Sequence, residues 1–201
     1  MPAPRTLDGR TAKGARLPSA WLRWSPLFLF LLLARVALAA TPAVGAAAPE
    51  FTLMTPTGAV VHLQDELRKN TVVLVLLRGF PGYQCPYCTK QVHDFVDHAS
   101  GFAAAKAEVL LVYPGPSADL DQHANDFLAQ QAALPKNIVL LTDPEYKMTT
   151  AYDLRWNAPH ETAYPSTFIL DQDGKILFEK ISRSHGERTS AEDVLHQLAP
   201  R

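Results

Sequence analysis

The chain has 201 residues, 47% of them hydrophobic, with 19 basic and 20 acidic side chains and a formal net charge of −1. That length suits one domain. No basic run and no interleaving of aromatic with cationic residues is present, which argues against a phosphate-binding surface, so nucleic acid is not an expected partner.

Residues 1–40 read as a leader. Arg5, Arg10, Lys13, Arg16 and Arg23 precede the apolar run Leu27–Ala34, and Ala37-Leu38-Ala39 supplies small residues at cleavage spacing. Arg35 interrupts the run, which falls short of the roughly 20 residues needed to span a bilayer. A secretory signal peptide is expected, with an uncleaved membrane anchor or a mitochondrial presequence as alternatives. The protein is therefore expected to be exported, periplasmic or extracytoplasmic, and membrane-tethered if the segment is retained. The leader holds six of the basic and one of the acidic residues, so the remainder is acidic. Thr41 to Ala48, rich in small residues, reads as a flexible tether, and the folded domain is expected over 49–201.

Phe51–Leu53 and Val60–Leu63 are short strand candidates around the turn Pro56-Thr57-Gly58, and Asp65–Lys69 adds a helical turn. Thr71–Leu77 is β-branched and continuously apolar, as in a central strand buried on both faces; Glu108–Tyr113 and Ile138–Leu141 repeat the signature. Ala118–Gln131 carries Leu120, Ala124, Phe127 and Leu128 at helical spacing. Strands alternating with helices predict a parallel βαβ core. Ser166–Leu170 and Ile176–Ile181 flank Asp171-Gln172-Asp173-Gly174, a hairpin signal, and Ser190–Leu198 closes the chain as an amphipathic helix.

The only two cysteines, Cys85 and Cys88, stand three apart just beyond the first buried strand. This spacing marks a redox dithiol. A structural zinc site needs four ligands, and His93 and His98 would be scattered around a helix over 85–99. Covalent haem needs His directly after the second cysteine, where Thr89 stands. No resident cofactor is expected. With Cys85 at the N-cap and Pro86 at the first helical position, unpaired N–H groups and the helix dipole favour a Cys85 thiolate. Arg78, at the end of the strand, is a candidate second source of positive charge. Tyr87 is expected to be an exposed recognition or packing residue, and Phe80 and Tyr83 to shape the mouth. Pro165 is a candidate for a cis peptide that brings backbone close to the sulfurs, the alternative being a trans proline opening an edge strand. Trp156, His160 and His185 lie in or near loops that can approach the site.

Several of these stretches converge on a family. Gly45, Ala48-Pro49, Phe51, Leu53, Gly58 and Leu63, then Arg78-Gly79 with the cysteine motif, then Pro165-Ser166-Thr167-Phe168-Ile169 running into Asp171 and Asp173-Gly174, resemble the alkyl hydroperoxide reductase/thiol-specific antioxidant, peroxiredoxin-like branch of the thioredoxin superfamily. The resemblance implies an α/β thioredoxin-like fold, a central mixed sheet flanked by helices with extra N-terminal strands, and thiol redox chemistry with antioxidant or disulfide-exchange activity. Peroxiredoxins carry Pro-x-x-x-Thr-x-x-Cys, which Pro81 to Cys88 matches with Cys85 in the threonine position. In a peroxidase, Cys88 would attack the peroxide and Cys85 would resolve the sulfenic acid. The arginine that many peroxiredoxins carry before the Ser-Thr-Phe strand is matched by Pro165. Paired cysteines and a proline before that strand also resemble thioredoxin-like disulfide oxidoreductases, in which Cys85 is the exposed nucleophile and Cys88 the buried resolving thiol. The implied partners are a thioredoxin-type electron donor or acceptor and a peroxide or protein disulfide. A non-enzymatic alternative is a copper chaperone holding Cu(I) through both thiolates and His160 or His185.

Overall fold

The structure, a computed structural model, describes residues 41–199. The expected leader over 1–40 lies outside the described residues. The elements run β1 (Thr52–Met54), β2 (Val60–His62), α1 (Leu63–Leu67), β3 (Thr71–Leu76), α2 (Pro86–Asp97), α3 (Ala99–Ala104), β4 (Ala107–Gly115), α4 (Leu120–Leu128), β5 (Ile138–Pro144), α5 (Lys147–Ala151), β6 (Ser166–Leu170), β7 (Ile176–Ile181) and α6 (Ala191–Leu198). They form one seven-stranded sheet in the order β2-β1-β5-β4-β3-β6-β7. β3, β4 and β5 pair in parallel, and the flanking pairs are antiparallel. This is the α/β thioredoxin-like fold with extra N-terminal strands that the resemblance implied.

The continuous apolar run of β3 is explained by a core on each face of the sheet. Successive side chains of a strand point to opposite faces. Val73, Val75 and Leu77 enter a core completed by Val92 and Phe95 of α2, Phe102 of α3, Phe127 of α4 and Val194 of α6. Val72, Leu74 and Leu76 enter the other, with Leu63 and Leu67 of α1, Met148 of α5, Tyr152 and Phe168. α2 buries Cys88, Gln91, Val92 and Phe95, the i, i+3, i+4, i+7 stripe of a helix lying on a sheet. The second cysteine is therefore packed into the core by the same periodicity that docks the helix.

Two differences from the sequence expectations lie at the two ends of the β6–β7 hairpin. Residues 45–48, read as a tether, are hydrogen-bonded to the β6–β7 hairpin: Gly45 N to Ile176 O at 2.8 Å, Ile176 N to Ala46 O at 2.9 Å and Ala48 N to Gly174 O at 2.9 Å. Gly45 turns the chain with a φ of +90° and Ala47 forms a single antiparallel bridge to Lys175, so the small-residue composition that signals a linker also suits chain laid against a hairpin. β6 lies inside the sheet between β3 and β7, and the Tyr164–Pro165 peptide is trans, as is every peptide among the described residues, so Pro165 is the trans proline at a strand start, and the cis peptide and the edge position are corrected. An interior strand tolerates this proline because it stands one residue ahead of β6, where its carbonyl still accepts Ser182 N at 2.8 Å.

Candidate active site

The loop leaving the C-terminal end of β3 carries the motif. Gly79 turns it with a φ of +69°, where an added Cβ would lie 1.9 Å from the Pro114 carbonyl oxygen. Only glycine fits this approach to the end of β4. Cys85 then caps α2 in an extended conformation (φ −77°, ψ 114°) and Pro86 occupies the first helical position. Proline costs no hydrogen bond there, and its fixed φ suits the helix start.

Both sulfurs are buried, Cys85 retaining 2% and Cys88 1% of its exposure. The expectation of an exposed Cys85 is thus corrected: it sits beneath a rim rather than at the surface. The two cysteines nevertheless differ in chemistry. Cys85 is lowered to about 5, first by the hydrogen bond it shares with Cys88, and further by backbone N–H groups and the charge of Arg188, against its desolvation. Cys88 is pushed well upward, first by desolvation and then by the same shared hydrogen bond. Both directions favour the thiolate on Cys85 and the proton on Cys88.

The positive charge comes from an unexpected element. Arg188, on the loop between β7 and α6, points Nη2 at Cys88 Sγ at 3.4 Å and Cys85 Sγ at 3.9 Å. Its Nε donates to His185 O at 2.8 Å and its Nη1 to Gln91 Oε1 at 2.9 Å, which orients the guanidinium. A sequence reading centred on the motif missed it, because it is one hundred residues from Cys88; the residue type and the loop after the hairpin were the only signals. Arg78 does a different task from the one expected. Its backbone N–H donates to Cys88 Sγ at 3.3 Å, but its guanidinium, 2% exposed, turns away to Glu161 (Nε–Oε2 2.9 Å), Tyr83 Oη (2.6 Å) and His160 O (2.6 Å). An arginine at a strand end is ordinarily a surface residue; here the 155–164 loop folds over it and supplies the counter-ion.

Glu161 also accepts His185 Nε2 at 3.0 Å, joining the loop that carries Arg188 to the loop that covers Arg78. Tyr87 stands on the rim, 51% exposed. Trp156 stacks on Tyr164 at 4.7 Å and lies 5.4 Å from the His185 ring. Phe80 stacks on His123 at 3.7 Å, and the exposed Tyr83 accepts from Arg78 Nη1 through its hydroxyl. Pro81 belongs to the loop between Gly79 and Cys85. Among the described residues no group of three or more His, Cys, Asp or Glu side chains is arranged to hold a metal ion, and the His185 ring is engaged with Glu161.

A dithiol at a helix N-terminus, split into a thiolate and a buried thiol and set at the end of a thioredoxin-like sheet, defines a thiol redox protein. The sequence profile of the Redoxin family matches residues 43–195, and the chain belongs to that family. It is an oxidoreductase. A Mycobacterium tuberculosis protein assigned to the peroxiredoxins is 30% identical over 138 residues, which cover 66% of this chain and 81% of that relative. The crystal structure of peroxidoxin BcpB from Mycobacterium tuberculosis superposes with a TM-score of 0.65 at 22% identity, covering 78% of this chain and 96% of that one. A Chlorobium tepidum protein assigned as a thiol:disulfide interchange protein, DsbE, superposes with a TM-score of 0.56 at 22% identity, covering 79% and 99%. Both likenesses speak to the fold, which peroxide reduction and disulfide exchange share.

Proposed function

We propose that the protein is a thiol–disulfide oxidoreductase in which Cys85 is the attacking thiolate and Cys88 the resolving thiol. The carrying observation is the place of Cys85 at the N-terminus of α2, directly ahead of Pro86, with Cys88 packed into the core by the helix, and the displacement of Cys85 downward and Cys88 upward agrees with it. Cys85 Sγ attacks a substrate disulfide, forming a mixed disulfide and releasing the first substrate thiolate. That step removes the anion and the shared hydrogen bond that hold the proton on Cys88, while Arg188 and the Arg78 N–H still face its sulfur. Cys88 then passes its proton to the departing second thiolate as it attacks Cys85 Sγ. The products are a Cys85–Cys88 disulfide, one substrate thiolate and one substrate thiol, and the reverse sequence oxidises a dithiol. A thioredoxin-type protein is the natural partner for either direction.

A second reading, peroxide reduction at Cys88, is favoured by two observations. The Pro81-x-x-x-Cys85-x-x-Cys88 spacing places Cys88 at the peroxidatic position, and Arg188 and the Arg78 N–H converge on its sulfur. Stopped-flow mixing of the reduced domain with hydrogen peroxide separates the two. Exchange through Cys85 predicts peroxide reactivity no faster than an ordinary thiol in wild type, Cys85→Ser and Cys88→Ser, with rapid alkylation confined to Cys85. Rapid sulfenate formation on Cys88 in Cys85→Ser would establish the peroxidase instead. The Arg-rich leader and apolar run support export, and N-terminal sequencing of the protein from fractionated cells tests it; an unprocessed cytoplasmic chain would refute it.

A further inference from the structure

Beside the sulfurs, between one face of α2 and the loop ahead of α6, lies a cavity of about 410 Å³ lined by Tyr87, Lys90, Gln91, Asp94, Arg188 and Thr189, among others. Its size falls at the small-molecule end of ligand cavities. Its walls are tied together, Gln91 Nε2 donating to Thr189 O at 3.2 Å and Arg188 Nη1 to Gln91 Oε1 at 2.9 Å. Arg188 is one of its walls and at the same time reaches both cysteine sulfurs through Nη2. Lys90 stands exposed on its wall, one helical turn from Tyr87.

The charge in this cavity is unbalanced. Among the described residues, neither Lys90 nor Arg188 forms an ion pair with a carboxylate. Asp94, the one carboxylate lining the cavity, is committed elsewhere: Oδ2 accepts Ala191 N at 2.6 Å and Oδ1 pairs with His98 at 3.3 Å. Among the described residues, the anion that Arg188 meets is the Cys85 thiolate. Forming the Cys85–Cys88 disulfide removes that anion and leaves a half-buried guanidinium facing two neutral sulfurs, an arrangement that favours uptake of another anion.

Building on the exchange chemistry at Cys85, we infer that this cavity selects small thiols that carry a carboxylate and binds them best in the disulfide state. The carboxylate lies between Lys90 and Arg188, and its attraction draws Arg188 off the sulfurs and uncovers Cys85. The ligand thiolate attacks Cys85 Sγ, the Cys85–Cys88 bond breaks, and Cys88 leaves as a thiolate and takes up a proton. A second ligand thiolate attacks the ligand sulfur of the mixed disulfide and releases Cys85 as the thiolate. Two thiols are oxidised to one small disulfide and the protein disulfide is reduced to a thiol and a thiolate. The regenerated thiolate competes with the carboxylate for Arg188, so the oxidised ligand is expelled.

The test is to mix the oxidised protein with 3-mercaptopropionate, 2-mercaptoethanol or cysteamine and measure rate constants per thiolate, corrected for basicity. At low salt the carboxylate-bearing thiol is expected to react about tenfold faster than the neutral one, with the ammonium-bearing thiol slowest. Lys90→Gln should cut that advantage about threefold and leave the neutral thiol's rate unchanged, since the side chain is exposed and glutamine suits a helix. Equal corrected rates for the three thiols, or an equal loss for the neutral thiol in Lys90→Gln, would overturn the inference while leaving exchange at Cys85 standing. Failure of every thiol to form a mixed disulfide at Cys85 would overturn the exchange reading and this inference with it.

Discussion

Arg78 shows how a single residue can be found from sequence while its role is not. Its place beside the motif attracts a reading as the thiolate's charge partner, and the backbone N–H does reach Cys88. The guanidinium instead meets Glu161, and that pair is buried, 2% and 13% exposed in its side chains. Removing one partner of a buried pair strands the other charge. Glu161→Ala is therefore expected to destabilise the reduced protein by about 3 kcal/mol, and Glu161→Gln by less, because an amide oxygen still accepts from Nε. Urea unfolding of the three proteins checks this, and a loss below about 0.5 kcal/mol in the alanine variant would mean that the pair is no more than a surface contact. Arg188 is the converse case. Nothing local in the sequence marks it, because its contacts are set by how the β7–α6 loop returns over α2, and such contacts have no sequence periodicity to betray them.

At the scale of elements, strands and helices with a period were legible and close approaches were not. The apolar run of β3, the Asp-Gly hairpin and the Cys85-Pro86 start of α2 each follow from local chemistry, and the structure places them within a residue or two of the expected bounds. α3 and α5 were missed, since six and five residues carry too little of a stripe to register. The tether was misjudged because pairing to the hairpin depends on where β7 lies, not on what residues 45–48 are. Gly79 is the most demanding of these positions, joining a left-handed φ to an approach within which no Cβ fits. Gly79→Ala is expected to cost about 3 kcal/mol or more and to displace the loop that leads to Cys85. Gly82→Ala, at φ +113° with nothing within 4 Å of an added Cβ, is expected to cost only backbone strain, about 1 to 2 kcal/mol. Thermal unfolding together with the alkylation rate of Cys85 distinguishes them: both readouts fall in the first variant, and stability alone in the second. Equal effects would show that the Pro114 contact is not what holds the loop.

For the whole molecule, the split dithiol makes stability depend jointly on pH and redox state. Cys85 titrates at about 5 in the reduced fold, against about 8.5 in an unfolded chain. Between those values the unfolded state binds the extra proton, so the reduced protein gains stability as pH rises, by at most about 1.4 kcal/mol per pH unit. The contribution is complete above about pH 8.5 and is lost as pH falls through about 5. Cys88, displaced upward, has the opposite sign, but it acts only above the ordinary thiol range, where its unfolded counterpart ionises first. The disulfide form has neither titration. Urea unfolding of both redox forms at pH 5.5, 7 and 8.5 should therefore show the oxidised protein's advantage shrinking as pH rises, with the steepest change below pH 8.5. Parallel profiles would mean that Cys85 does not carry the thiolate. A converging pair of profiles would also make the Cys85–Cys88 disulfide a stronger oxidant, because whatever stabilises the reduced fold at neutral pH makes that disulfide readier to accept electrons from a partner thiol.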